Sequence, residues 1–268
     1  MKKTCLIFWI FGTLFLLLLN CATTGPGGKK SLILISTSQE VSIGKSLVKD
    51  IESQQKVTGD SVLADYVNRL GQKIAGVSDR RDIDYHFKVL ESSEINAFAC
   101  PGGFIYIYTG LLKTMDNEAQ LAGVLAHEIG HVVARHSVKR LQQVLGLQVL
   151  LSIALGESSE VTQKAIGAGF VLIMQGYSRK NEFEADYDGA LYMTNAGYHP
   201  RGMTQLFGKF KEMEKGRKDT YLDQLLASHP PTADRIAKVE EHIKSFNIGE
   251  RPLAFGEEEY QNIKSRLK

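Results

Sequence analysis

Asp116 to Arg135 read DNEAQLAGVLAHEIGHVVAR, and the architecture follows from this run. Leu121, Val124, Leu125, Ile129, Val132 and Val133 recur at helical spacing, which predicts an α-helix with apolar residues on nearly every side. Such a helix belongs inside a protein. Within it stands His127-Glu128-Ile129-Gly130-His131. Histidines four residues apart leave one face of a helix, so both imidazoles reach one metal ion while Glu128 stands beside it. The alternative is a chance HExxH string on a solvated helix. Apolar embedding opposes that, because two imidazoles and a carboxylate buried without a partner are costly.

Imidazole nitrogens, a carboxylate and an open position for water describe a catalytic zinc site, and one Zn2+ per chain is expected. A structural site would usually be cysteine-rich, and the chain has three scattered cysteines, Cys5, Cys21 and Cys100. A metzincin-type third ligand would need glycine at 134 and histidine at 137, where Ala134 and Ser137 stand. His136 is one residue out of register and is read as supporting a ligand rather than binding metal. Glu182 and Asp186 lie four apart on one face of a second predicted helix, while Glu184 points elsewhere. On that face Glu182 can ligate zinc, and Asp186 can accept the N–H of a ligand imidazole and fix its tautomer.

Outward from these helices, the apolar spacing predicts two amphipathic helices at the start of the body, from Ser38 to about Gln55 and from Asp60 to Ala75. A β region follows: Asp84 to Leu90, Ile95 to Cys100 and Phe104 to Tyr108, with Pro101-Gly102-Gly103 turning between the last two. From Asp116 onward the pattern is helical almost throughout. No repeat interrupts it, so residues 38–268 read as one α+β domain. Leu141 to Gln175 holds two apolar stretches, Val144 to Leu155 and Ala165 to Met174, each shorter than the ~20 residues of a bilayer span. A helical hairpin packed on the core is expected there, with lipid or a partner as the alternative neighbour. The 268 residues carry 32 basic and 30 acidic side chains and are 43% hydrophobic, which excludes disorder, collagen and disulfide-stapled miniproteins. A formal charge of +2 gives no basic field for nucleic acid.

The ends differ from the body. Lys2 and Lys3 precede an uncharged run of 14 residues, Leu6 to Leu19, which has the length of an export signal rather than of a span. Residues 1–20 are therefore predicted as a signal peptide, with an uncleaved anchor as the alternative. Those two lysines account for the whole excess charge, so the remaining chain is neutral. Leu18-Leu19-Asn20-Cys21 resembles a bacterial lipobox, with Asn20 where Gly, Ala or Ser is usual. Cys21 is expected to carry lipid, and residues 21–37, Gly/Pro/Thr-rich from Ala22 to Lys30, to form a flexible tether. The protein would then face the periplasm on a bacterial membrane, the outer one in preference to the inner. Cys100 is read as a small buried hydrophobe.

HExxH followed by Tyr177-Ser178-Arg179 and by Glu182 and Asp186 is similar to the gluzincin peptidases of metallopeptidase family forty-eight. CAAX prenyl proteases, HtpX and periplasmic BepA- and LoiP-like proteases belong to it. Asn96-Ala97-Phe98-Ala99 with Pro101-Gly102-Gly103, Gly110-Leu111-Leu112, and Ser228-His229-Pro230-Pro231 with Arg235-Ile236 also match its small soluble members. The resemblance covers nearly everything after the tether. It implies a mostly helical, zincin-like metalloprotease domain with a small β-sheet beside the active-site helix. It further implies that His127, His131 and Glu182 bind zinc and that Glu128 is the general base. A multi-span membrane domain and a helical-repeat domain, found in some members, are not expected.

The expected function is a zinc-dependent endopeptidase that cleaves misfolded or stalled cell-envelope proteins, with envelope assembly machinery as a candidate partner. The alternative is a chaperone-like outer-membrane assembly factor whose zinc site is latent or mainly structural. Arg179, His229 and Arg235 are candidates to stabilise the oxyanion, each with an equally plausible structural role. His229, in a Pro-flanked loop, could instead occupy the open metal position as an inhibitory latch. Asn96, Ala97, Phe98 and Ala99 would supply a sheet edge to which an extended peptide adds, unless they form a plain core hairpin.

Overall fold

The computed structural model describes residues 21–24, 29–215, 222–246, 248 and 251–267, with side chains from Ile33 onward. The predicted export signal lies outside these residues. Strands β1 (Cys21–Thr24) and β2 (Lys29–Leu32) pair antiparallel, with Cys21 opposite Leu32. Ile33 and Ile35 are each 1% exposed, which corrects the tether boundary at residue 37. The packed body begins at Ile33, because two β-branched aliphatic side chains gain more from burial than a linker reading of the Gly/Pro-rich stretch before them allows.

Helix α1 (Thr37–Gln54) starts at a reciprocal capping box between Ser36 and Gln39 and turns Ile43, Leu47 and Ile51 inward. Helix α2 (Ser61–Ala75) starts where the Asp60 carboxylate accepts the Leu63 N–H. Both ends of both helices fall within a residue of the predicted ones. Strands β3 (His86–Leu90), β4 (Ala97–Cys100) and β5 (Phe104–Tyr108) form a sheet of order β3-β5-β4, parallel between β3 and β5 and antiparallel between β4 and β5. The central place of β5 leaves β4 on an edge. Gly103 in the β4–β5 turn has φ 91°, and a Cβ there would sit 2.5 Å from the Asp84 carbonyl oxygen.

The sheet separates two apolar clusters by simple alternation. Ala97, Ala99, Ile105 and Ile107 face one, with α2 and the helices that follow the sheet. Phe98, Cys100, Phe104, Tyr106 and Tyr108 face the other, with α1. Cys100 is free and fully buried, and burial pushes its thiol up, so it packs as a hydrophobe.

Helix α3 (Thr109–Thr114) leads into α4 (Glu118–Val133), capped by Asn117 and buried at every position except Val124. The apolar stretches beyond form α5 (His136–Leu145), α6 (Leu147–Ala154) and α7 (Glu160–Met174), whose inner residues Leu150, Ile153, Ala165 and Ile173 join the α1 cluster. Helix α8 (Arg179–Asn195) lies against α4, and α9 (Arg201–Lys215), α10 (Asp223–Ser228), α11 (Ala233–Ser245) and α12 (Glu257–Lys264) complete the body. Among the described residues no helix is long and apolar enough to cross a membrane.

One buried charge ties the start of the body to the end of α4. Glu40, 1% exposed, accepts Arg80 Nη1 and Nη2 at 2.9 and 2.7 Å and Arg135 Nε at 2.7 Å, and its Oε1 also takes the Gly102 N–H. Arg135 stands just past α4 with φ 54°, a left-handed backbone uncommon for a side-chain-bearing residue. Arg80 Nη1 also donates to the Val132 carbonyl. Glu40→Ala leaves two buried guanidinium groups without their anion and is expected to cost about 3–5 kcal/mol. Urea unfolding of the variant against the parent chain measures it.

Candidate metal centre

Four separate elements meet at one point. Helix α4 supplies His127, Glu128 and His131, α8 supplies Glu182 and Asp186, the loop after α10 supplies His229, and α11 supplies Arg235. His127 Nε2 and His131 Nε2 are 3.0 Å apart. Glu182 lies 3.5 Å from the first through Oε2 and 3.4 Å from the second through Oε1. One donor atom from each of His127, His131, Glu182 and His229 falls within 4.8 Å of the others, and all four residues are buried. Ring nitrogens and a carboxylate that converge on one spot form a donor set suited to zinc. Glu128 Oε2 is buried beside them without a hydrogen-bond partner, as a group reserved for a bound water or substrate would be.

A supporting layer orients the ligands. Asp186 Oδ1 is 3.0 Å from His127 Nδ1, although off the ring N–H axis. Arg235 clamps Asp186 through Nε and Nη2 at 2.7 and 2.6 Å and reaches Glu182 Oε2 through Nη1 at 2.9 Å. His136 Nδ1 is 2.8 Å from His131 Nδ1. The Tyr177 ring stacks on His131 at 4.2 Å, and its hydroxyl is 2.8 Å from Ser137 Oγ, which donates to the Ala99 carbonyl. Tyr177 entered the sequence reading only as part of a motif and Ser137 only to exclude a metzincin-type ligand, and neither was placed at the site. The position of Tyr177 just before the α8 cap was the available signal.

Charge in this cluster is set by burial against close partners. Burial opposes ionisation of Glu182, but His229, His127 and His131 hold its carboxyl well below the usual range. Asp186 is likewise lowered against its burial, chiefly by Arg235. Burial raises Glu128, opposed by His229 and His127. It also lowers His131 and keeps that imidazole neutral, as a ligand must be. For His127, Asp186 and Glu182 outweigh burial and push it up to about 10, so a metal ion would take the place of that proton.

The remaining candidates divide. His229 Nδ1 is 3.3 Å from His127 Nε2 and 3.0 Å from Glu182 Oε2, inside the ligand set. Arg235 is 1% exposed and committed to Asp186 and Glu182. Arg179 is corrected: it stands on the exposed first turn of α8, pairs with Asp234 and lies over the Phe183 ring. It precedes Glu182 by three residues and Asp186 by seven, at the exposed end of their face, and its guanidinium is taken up by Asp234 rather than by the ligands. Ala97 of the β4 edge lines a pocket with His127 and Glu128, walled by Leu111, Met203, Leu206, Phe207 and Phe210. The Ala97 N–H is held by the Asn96 side chain at 2.9 Å.

Removal of a supporting group should weaken the metal without unfolding the protein. His136→Ala and Asp186→Asn are each expected to lower zinc affinity about 10- to 100-fold. Chelator competition on the purified variants reads this directly.

The chain matches peptidase family M48 over residues 61–243. It is 28% identical over 214 residues to the beta-barrel assembly-enhancing protease of Escherichia coli (strain K12), covering 76% of this chain and 43% of that protein. It is 31% identical over 223 residues to the mitochondrial metalloendopeptidase OMA1 of Schizosaccharomyces pombe, covering 80% of this chain and 64% of that protein. It is 31% identical over 191 residues to the metalloprotease LoiP of Escherichia coli, covering 69% of this chain and 71% of that protein. The chain thus spans less than half the length of the assembly-enhancing protease. The matched segment contains α4, α8 and the His229 loop, the donor set is the one zinc requires, and the chain belongs to peptidase family M48 with zinc as its cofactor.

Proposed function

We propose that the protein is a zinc endopeptidase that cleaves polypeptides of the bacterial cell envelope, where a lipid on Cys21 would hold it to the membrane. The observation that carries this reading is Glu128, buried beside three convergent ligands with one oxygen unpartnered. A structural zinc site has no use for such a group. His127, His131 and Glu182 would hold the ion. When bound, zinc polarises a peptide carbonyl and makes water more acidic. Glu128, whose carboxyl is raised by burial, accepts the proton of the attacking water and returns it to the leaving amine nitrogen.

The substrate main chain would lie along β4. Residues 97 and 99 turn their N–H and C=O groups away from β5, because Tyr108 N–H pairs with Asn96 O and sets the alternation. Asn96 now satisfies the Ala97 N–H and Ser137 the Ala99 carbonyl, so an added strand would exchange with these side chains. Phe98 points into the core against Tyr106 and Phe170 and shapes the strand rather than touching substrate. Main-chain pairing of this kind suits misfolded or stalled proteins, which expose extended segments. Of the candidate oxyanion groups, His229 alone turns a free ring nitrogen toward Glu128, with Nε2 3.8 Å from Oε1.

A latent, chaperone-like assembly role is the second reading, and His229 supports it. Its imidazole fills the side of the ligand set where a substrate carbonyl would enter, so the resting chain would be held closed. Glu128→Gln is expected to lower casein cleavage about 10²- to 10⁴-fold with one zinc still bound. His229→Ala is expected to raise peptide cleavage several-fold. Fully metallated parent and His229→Ala proteins that both cleave nothing would replace the peptidase with the assembly factor. Unchanged or lower cleavage by His229→Ala would remove the latch.

A further inference from the structure

We propose that the outer face of the α5–α7 segment rests on a lipid bilayer. Among the described residues six large hydrophobic side chains are exposed, and four of them belong to this segment: Val144 at 55%, Leu155 at 72%, Val161 at 64% and Val171 at 55%. A fifth, Leu34, is tied to it, since its N–H donates to Gln142 Oε1 at 3.2 Å. From Leu141 to Gln175 only Glu157, Glu160 and Lys164 carry charge, and Lys164 pairs with Glu160 at 2.6 Å. The inner face is already buried against α1 through Leu150, Ile153, Ala165 and Ile173. Helix α7 has 15 residues, short of the ~20 of a bilayer span, so the segment would lie on a membrane rather than cross it.

The way the chain enters the body argues for lipid as the occupant. Strand β2 runs into Ile33 and Ile35, which pack in the same cluster as Leu150 and Ile153. Cys21 and the uncharged run Leu6 to Leu19 are therefore joined to the body next to the α5–α7 segment, where the Leu34 N–H meets Gln142. A membrane that holds either of them lies within reach of that face with only β1 and β2 between. The inference thus rests on the N-terminal anchoring reading. The contact is apolar, so salt should not weaken it, in contrast to a polybasic surface.

The test uses the full chain with its sole tryptophan removed by Trp9→Phe, on vesicles of phosphatidylethanolamine with a minor share of phosphatidylglycerol. Tryptophan is then introduced by Leu155→Trp or Val161→Trp, and by Val62→Trp on α2 as the exposed control. Quenching by brominated acyl chains is expected to be several-fold stronger at 155 and 161 than at 62 and to persist in high salt. Val144→Glu combined with Val171→Glu should cut that quenching and leave the zinc content unchanged. Equal quenching at all three positions on a chain that floats with the vesicles would overturn the surface and leave the anchor standing. A chain that does not float would overturn both. Sedimentation as a dimer without lipid, with the emission at 155 already blue-shifted, would give the face to a second copy and overturn the lipid reading.

Discussion

The site depends on how closely two buried helices approach. A Cβ on Gly130 of α4 would lie 3.0 Å from the Ala185 carbonyl oxygen of α8, and one on Gly189 of α8 would lie 2.9 Å from the His127 backbone nitrogen. A helical glycine costs about 1 kcal/mol relative to alanine, and here the cost is offset by backbone-to-backbone packing that a side chain would prevent. That spacing sets the Glu182 carboxylate between two imidazoles from the other helix. Zinc tolerates little freedom in its donor positions, so the glycines act on the metal site although neither touches it.

Buried ion networks then fix the ligand face of α8 and the end of α4. Arg235 holds Asp186 and Glu182 on the side of α8, and Glu40 holds Arg80 and Arg135 just beyond Val133. Networks of this kind contribute little net stability against an apolar replacement, because desolvation of the charges cancels most of their attraction. Their effect is positional. A guanidinium with both carboxylate oxygens of Asp186 in hand cannot rotate freely, and the same carboxylate faces His127. The position of a metal ligand is thereby coupled to α11, far along the chain.

The features legible in the sequence were those encoded locally. HExxH and the Glu182–Asp186 pair place their side chains by helical spacing alone, and α1 and α2 were marked by the apolar spacing of residues such as Ile43, Leu47 and Ile51 and Leu63, Val67 and Leu70. The Glu40 network was not legible, since its partners lie 40 and 95 residues away and a lone acidic residue on an amphipathic helix reads as solvated. Strand order was equally hidden. Three consecutive strands suggest a meander, and only the tertiary packing puts β5 in the centre and β4 on the edge facing the metal site. Arg179 misled because it shares the helix face of Glu182 and Asp186, whereas its partner Asp234 lies 55 residues away in sequence and cannot be read from the motif.

The loop that carries His229 is tied to the rest of the site mainly by single polar contacts. Gln224 Nε2 donates to the Met174 carbonyl, Arg235 Nη1 donates to Pro230 O, and the His229 ring meets Glu182. The first two are single hydrogen bonds, each of net worth about 1 kcal/mol, whereas α4 and α8 are locked by core packing. Segments with few such restraints open locally without global unfolding. One of those two bonds ends on the carbonyl of Met174, the last residue of α7, one turn beyond the exposed Val171. A bilayer that seats the hairpin would therefore bear on the same helix end that restrains His229. Location at the membrane and release of the metal site would then share one structural element.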